Sequence, residues 1–82
     1  MNEDEISEDA KIERLEISKE ETESEIKFIE ITIQKLDTIS DELPARTTAR
    51  EQIHIFKQKL EHEKEIQEEI LGELEQSISF HN

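Results

Sequence analysis

Few residues in this chain have the chemistry to act on a ligand, and each must be weighed by where a helix would place it. Glu51 and His54 form one E-x-x-H spacing, the arrangement that in di-iron bundles sends a carboxylate and an imidazole into the core together. The motif does not recur, and with Ile53 and Phe56 expected on the buried face this pair turns to solvent. No metal site is expected. His62, set among Glu61, Glu63 and Glu65, reads as a solvated surface histidine rather than a ligand. Arg46 and Arg50 flank Thr47 and Thr48 at the start of a helix, where free amides and the helix dipole favour an anion. The simpler reading is that Thr48 caps the helix and both arginines are solvated. There is no nucleophile elbow and no Gly-rich phosphate loop. Carboxylates are so abundant that a pair of them is no sign of acid–base catalysis, which also needs a pocket. An enzyme is not expected, nor is a cofactor.

The elements that would position these residues follow from composition and periodicity. Eighty-two residues make at most one small domain with a thin stability margin. Only 32% of residues are apolar while 40% are charged, close to the composition of disordered chains. One Gly, one Pro and a strong apolar periodicity argue instead for long helices. There is no cysteine, the acidic start MNEDEISED does not resemble a signal peptide, and no apolar run exceeds two residues. A cytoplasmic protein with no membrane span is therefore expected.

Ile26 to Leu36 is the most apolar stretch. Ile26, Ile29, Ile33 and Leu36 alternate spacings of three and four, the a and d positions of a heptad. The same ladder runs through Ile12, Leu15, Lys19, Thr22 and Ser40. With Ser7 as N-cap and Met1 to Ile6 as a frayed acidic leader, helix one spans about 7–40. From Ile29 the stretch also alternates as a strand would, with Ile53 to Phe56 as a possible partner strand. No Asn-Gly or Asp-Gly turn serves such a hairpin, and both flanks are helical.

Pro44 breaks the chain within 41–48. Thr48 with Glu51 has the form of a capping box, and a second helix is expected over about 48–76. Its expected seam is Ala49, Ile53, Phe56, Leu60, Glu63, Gln67, Ile70 and Leu74. Gly72 is expected to fray it, leaving a tail at 77–82. The predicted fold is all-α: an antiparallel two-helix hairpin, coiled-coil-like, associating as a homodimer or four-helix bundle or docking on another protein. Centring the turn on Pro44 and Ala45 sets Leu36 opposite Ile53, Ile33 opposite Phe56 and Ile29 opposite Leu60 as a dry core. Lys19, Thr22, Glu63 and Gln67 then form a polar middle that fixes register or contacts a partner. The simpler reading has Lys19 and Glu63 extend into water.

Two surfaces remain as candidate partner-binding sites. Ile17, Phe28 and Ile31 lie off the seam of helix one, as Ile55, Ile66, Leu71 and Ile78 do on helix two, and such clustering implies a second buried surface. The net charge of −13 divides unevenly: residues 1–25 carry eleven acids and three bases, residues 26–50 four of each, and residues 51–82 eight acids and three bases. Folding back brings the two acidic segments together, with Glu13, Glu16, Glu20, Glu21 and Glu23 on one helix and Glu61, Glu65, Glu68, Glu69 and Glu73 on the other. Direct binding to nucleic acid or an anionic membrane is excluded by repulsion. A basic protein surface is the expected partner. In size and charge the chain is similar to small acidic helical proteins that block nucleic-acid enzymes, such as those phages use. That resemblance implies an inhibitor or regulator acting as a nucleic-acid mimic. The alternative is a coiled-coil adaptor or small chaperone that binds through its apolar stripe.

Overall fold

The structure, a computed structural model, describes residues 7–81. It is a helical hairpin of α1 (Glu8–Glu42) and α2 (Thr48–His81), with extents of 65 × 22 × 14 Å. No strand is present among the described residues. The alternation from Ile29 loses to the flanking helical sequence, as a tight hairpin turn is missing. The leader at Met1 to Ile6 lies outside the described residues.

Ser7 caps α1, its Oγ accepting from the Ala10 amide at 3.1 Å, and Glu8 and Asp9 face the positive end of the dipole. The helix runs two residues beyond the expected Ser40. Pro44 forces only its predecessor out of the α region, and Leu43 is accordingly extended at φ −89°, ψ 144°. Its amide still reaches Ser40 O at 3.2 Å. The turn then needs a left-handed residue, and Arg46 takes φ 65° without being glycine.

The cap of α2 is Thr47, not Thr48. Thr47 Oγ1 accepts from the Arg50 amide at 3.2 Å and donates to Pro44 O at 3.0 Å, while Thr48 is already helical. The expected Thr48–Glu51 box therefore does not form. Nor does α2 end near Gln76. It continues to His81, and the expected tail at 77–82 is helical through its described residues. Gly72 sits inside this helix with no positive φ, its cost of about 1 kcal/mol outweighed by the packing of Leu71, Leu74 and Ile78, which are half-buried along with the rest of the seam.

Burial identifies the seam. On α1 it follows the expected ladder, with Thr22, Ile26 and Ile29 the most buried residues of the molecule. Thr22 satisfies its hydroxyl by donating to Ser18 O at 2.8 Å. On α2 the half-buried positions are Arg50, Ile53, Lys57, Leu60, Lys64, Gln67, Leu71, Leu74 and Ile78. Ile53, Leu60, Gln67 and Leu74 were expected there. The alternate positions are one residue later than expected, so Ala49, Phe56, Glu63 and Ile70 are turned out to solvent and Leu71 and Ile78 are turned in.

The pairing shifts as well. Arg50 Nη1 donates to Leu43 O at 3.3 Å, Lys57 Nζ lies 2.7 Å from Asp37 Oδ1, and Lys64 Nζ lies 3.3 Å from Glu30 Oε1. These contacts join residues whose numbers add to 93 or 94, rather than the expected 89. The turn half is thus not a dry block, and the middle is the tightest part. Glu63 takes no place in a polar layer, being exposed and accepting from Gln67 Nε2 at 3.0 Å.

Candidate functional site

The rotation of α2 decides what the surface presents. With Ile12, Ile26 and Ile33 at a and Leu15, Ile29 and Leu36 at d, the e row of α1 is Glu16, Glu23, Glu30 and Asp37. With Arg50, Lys57 and Lys64 at a, the e row of α2 is His54, Glu61, Glu68 and Glu75. In an antiparallel pair these two rows flank the same side of the seam. Carboxylates facing carboxylates would repel. The seam lysines lie between them and offset this: Lys57 pairs with Asp37, while Lys64 reaches Glu30 and, at 3.8 Å, Glu68. Hydrogen bonding to Asp37 raises the Lys57 ammonium above the ordinary lysine range against the opposing effect of desolvation, with the charges of Asp37, Glu61 and Asp41 adding to the rise. The lysine stems cover seam surface while the charged heads stay at its edge.

Taking the e rows with the adjoining b rows gives one continuous acidic face. Among nineteen such helical positions stand thirteen carboxylates and one lysine, Lys27, and all nineteen are exposed. Seven of the ten acidic residues expected to bind a partner lie here: Glu13, Glu16, Glu20, Glu23, Glu61, Glu65 and Glu68. Glu21 and Glu73 are on the opposite side, and Glu69 is on the back of α2. A shallow groove lined by Glu30, Gln34, Glu61, Lys64, Glu65 and Glu68 runs along this face. Asp9, Glu30, Asp37, Asp41, Glu51 and Glu75 complete the thirteen, and that the rows of the two helices share one side depends on which stripe of α2 faces inward.

The opposite face, made of the g and c rows, differs in kind. Its twenty helical positions carry five acids and four bases. Six of the nine exposed large apolar side chains are there: Phe28, Ile39, Phe56, Ile66, Ile70 and Phe80. Ile17, Ile31 and Ile55 lie at the adjoining f positions, and no exposed large apolar residue falls at e or b. Of the expected apolar contacts, Ile17, Phe28, Ile31, Ile55 and Ile66 are exposed. Leu71 is a correction: it is half-buried near Ile26 of α1, and Ile78 is half-buried too, because that arrangement covers two aliphatic side chains and releases Glu63 and Ser77. Phe56, Ile39 and Ile70 were missed as surface residues, the first and last because they had been assigned to the seam.

No family model, curated protein or solved structure matches this chain. The functional reading therefore rests on the two faces.

Glu51 and His54 are exposed at the turn end beside Ser40, Arg46, Thr47 and Arg50. Arg50 is not solvated as expected but half-buried and bonded to Leu43 O. Among the described residues no group of three or more His or acidic side chains is placed to hold a metal. At the open end His81 Nδ1 lies 2.7 Å from Glu8 Oε2, tying the end of α2 to the start of α1. No helix among the described residues is long and apolar enough to cross a membrane.

Proposed function

We propose that this protein is a non-enzymatic binding module that docks its acidic face on a basic protein surface, and that it inhibits or regulates a nucleic-acid-handling protein. One observation carries the reading: thirteen carboxylates share a face with Lys27 and the heads of the two seam lysines, Lys57 and Lys64. A helix rises about 1.5 Å per residue, so α1 spans roughly 50 Å and the face offers about one carboxylate per 4 Å. A single nucleic-acid strand carries one phosphate per about 3.4 Å of helix axis. A groove that binds nucleic acid by charge meets comparable charge density on this rod. Binding of this kind is fast, electrostatically steered and weakened by salt. The cytoplasm, where such partners work, is the proposed location.

The rival is an adaptor or small chaperone that binds through the exposed apolar residues, with charge serving only solubility. The two readings separate in a capture experiment from native cell lysate at about 50 and 300 mM salt. The chain is compared with a variant carrying Glu20→Gln, Glu23→Gln, Glu61→Gln, Glu65→Gln and Glu68→Gln. The acidic-face reading expects a partner that is lost at the higher salt, lost with the variant, and released from its nucleic acid by the wild-type chain. A partner retained in all three tests would favour the adaptor.

A further inference from the structure

The outward face of α1 has a symmetry that its seam does not. Ile17, Phe28 and Ile39 are 49%, 66% and 45% exposed and stand eleven residues apart. Eleven residues are just over three full turns, so the three side chains form a stripe nearly parallel to the helix axis. Charges flank the stripe at seven-residue steps on either side of Phe28. Seven residues away stand Glu21 and Lys35, and fourteen away stand Arg14 and Glu42. At each distance from Phe28 the two signs are opposite. All four side chains are exposed, and none makes an ion pair among the described residues.

We infer that this face docks on the same face of a second copy, with the two α1 helices antiparallel and the two-fold axis beside Phe28. In that arrangement Phe28 meets its own counterpart and Ile17 meets Ile39 of the second copy. Glu21 meets Lys35, and Arg14 meets Glu42, each pair occurring twice. A parallel arrangement sets like charge on like charge at every step. At these seven-residue steps the pattern is self-complementary under one operation, as an isologous interface requires, and Glu25 is the one exposed charge of this outward face that falls opposite an apolar residue, Ile31. Net charge points the same way. Two chains of −13 repel one another through their acidic faces, whereas the face holding Phe28 is nearly neutral, with five acids and four bases. From Arg14 to Glu42 the contact is about 42 Å long at the helical rise. The inference uses none of the acidic face and stands apart from the partner proposed above.

The chain has no cysteine, so single-cysteine variants of the full chain read the geometry directly. Under mild oxidation Phe28→Cys should form a covalent dimer. Ile17→Cys and Ile39→Cys should each stay uncrosslinked alone and crosslink when mixed, and Glu20→Cys on the acidic face sets the background. Because the mixed pair retains Phe28, it reads the interface even where loss of that ring loosens the Phe28→Cys dimer. In sedimentation, Arg14→Glu should weaken dimerisation about tenfold, since each exposed pair occurs twice and attraction becomes repulsion. Adding Glu42→Arg should restore it. Circular dichroism confirms that each variant is helical. A wild-type monomer at about 100 μM, self-crosslinking of Ile17→Cys equal to that of the mixed pair, or no rescue by Glu42→Arg would each overturn the antiparallel dimer.

Discussion

Phe28 and Ile29 are neighbours in sequence with opposite roles, and substituting each in turn tests the seam against the outward face. Ile29 is 3% exposed, and only Ile26, at 9%, comes near it among apolar residues. Ile29→Ala removes three carbons at about 0.8 kcal/mol each and leaves a cavity. The better helix propensity of alanine returns about half a kcal/mol, so the net loss is about 3 kcal/mol. Phe28 is already 66% exposed, so Phe28→Ser forfeits about a third of a full phenylalanine burial, or about 1 kcal/mol at most. The assay is urea unfolding followed by helical circular dichroism at several protein concentrations. Ile29→Ala should lower the midpoint at every concentration. Phe28→Ser should lower it mainly where the wild-type midpoint itself rises with concentration, because what it removes is contact with a second copy. Equal shifts from both variants at the lowest concentration would refute the assignment of buried and outward faces.

Four further outcomes follow from local structure. Arg46→Gly should raise the thermal midpoint by a few degrees, since glycine adopts φ 65° without the cost of about 1 kcal/mol that a side chain incurs there; a lowered midpoint would show that the Arg46 side chain holds the turn. Thr47→Ala should cost about 1 kcal/mol in urea unfolding through loss of the cap, and Thr48→Ala almost nothing, the reverse of what a Thr48–Glu51 box demands. Gly72→Ala should stabilise by about 1 kcal/mol, because an added Cβ meets nothing within 4 Å and the position is helical and exposed. The raised proton affinity of Lys57 makes its pairing with Asp37 fully present below the ordinary lysine range and lost as pH climbs through the folded-state value. The difference in thermal midpoint between wild type and Lys57→Met should therefore change between pH 7 and strongly alkaline solution, and a constant difference would remove the ion pair as its cause.

Local sequence decides a good deal here. Two long helices, one break at Pro44, the cap at Ser7 and the seam of α1 all follow from neighbours within a turn or two of each other. Pro44 also shows how such rules overreach. It constrains Leu43 alone, so α1 runs on through Glu42 and carries the register with it. Glu13, Glu16, Glu20, Glu23, Glu61, Glu65 and Glu68 could be picked as acidic surface residues from charge alone. That they form one face could not.

What the sequence by itself determined was therefore the elements and their total charge, because helix formation, capping and proline sterics are local. The tertiary structure decided which stripe of α2 faces inward. Two candidate stripes share Ile53, Leu60, Gln67 and Leu74 and differ only in the alternate positions: Ala49, Phe56, Glu63 and Ile70, or Arg50, Lys57, Lys64 and Leu71. By apolar content the first looks better. The second wins because Arg50 reaches the Leu43 carbonyl, Lys57 and Lys64 reach Asp37 and Glu30 across the seam, and Leu71 and Ile78 bury at the open end. Apart from the Arg50–Leu43 bond, which spans seven residues, those gains depend on how the distant helix lies. Rotating one helix by a single position thus separates the surface into an acidic face and a nearly neutral apolar one.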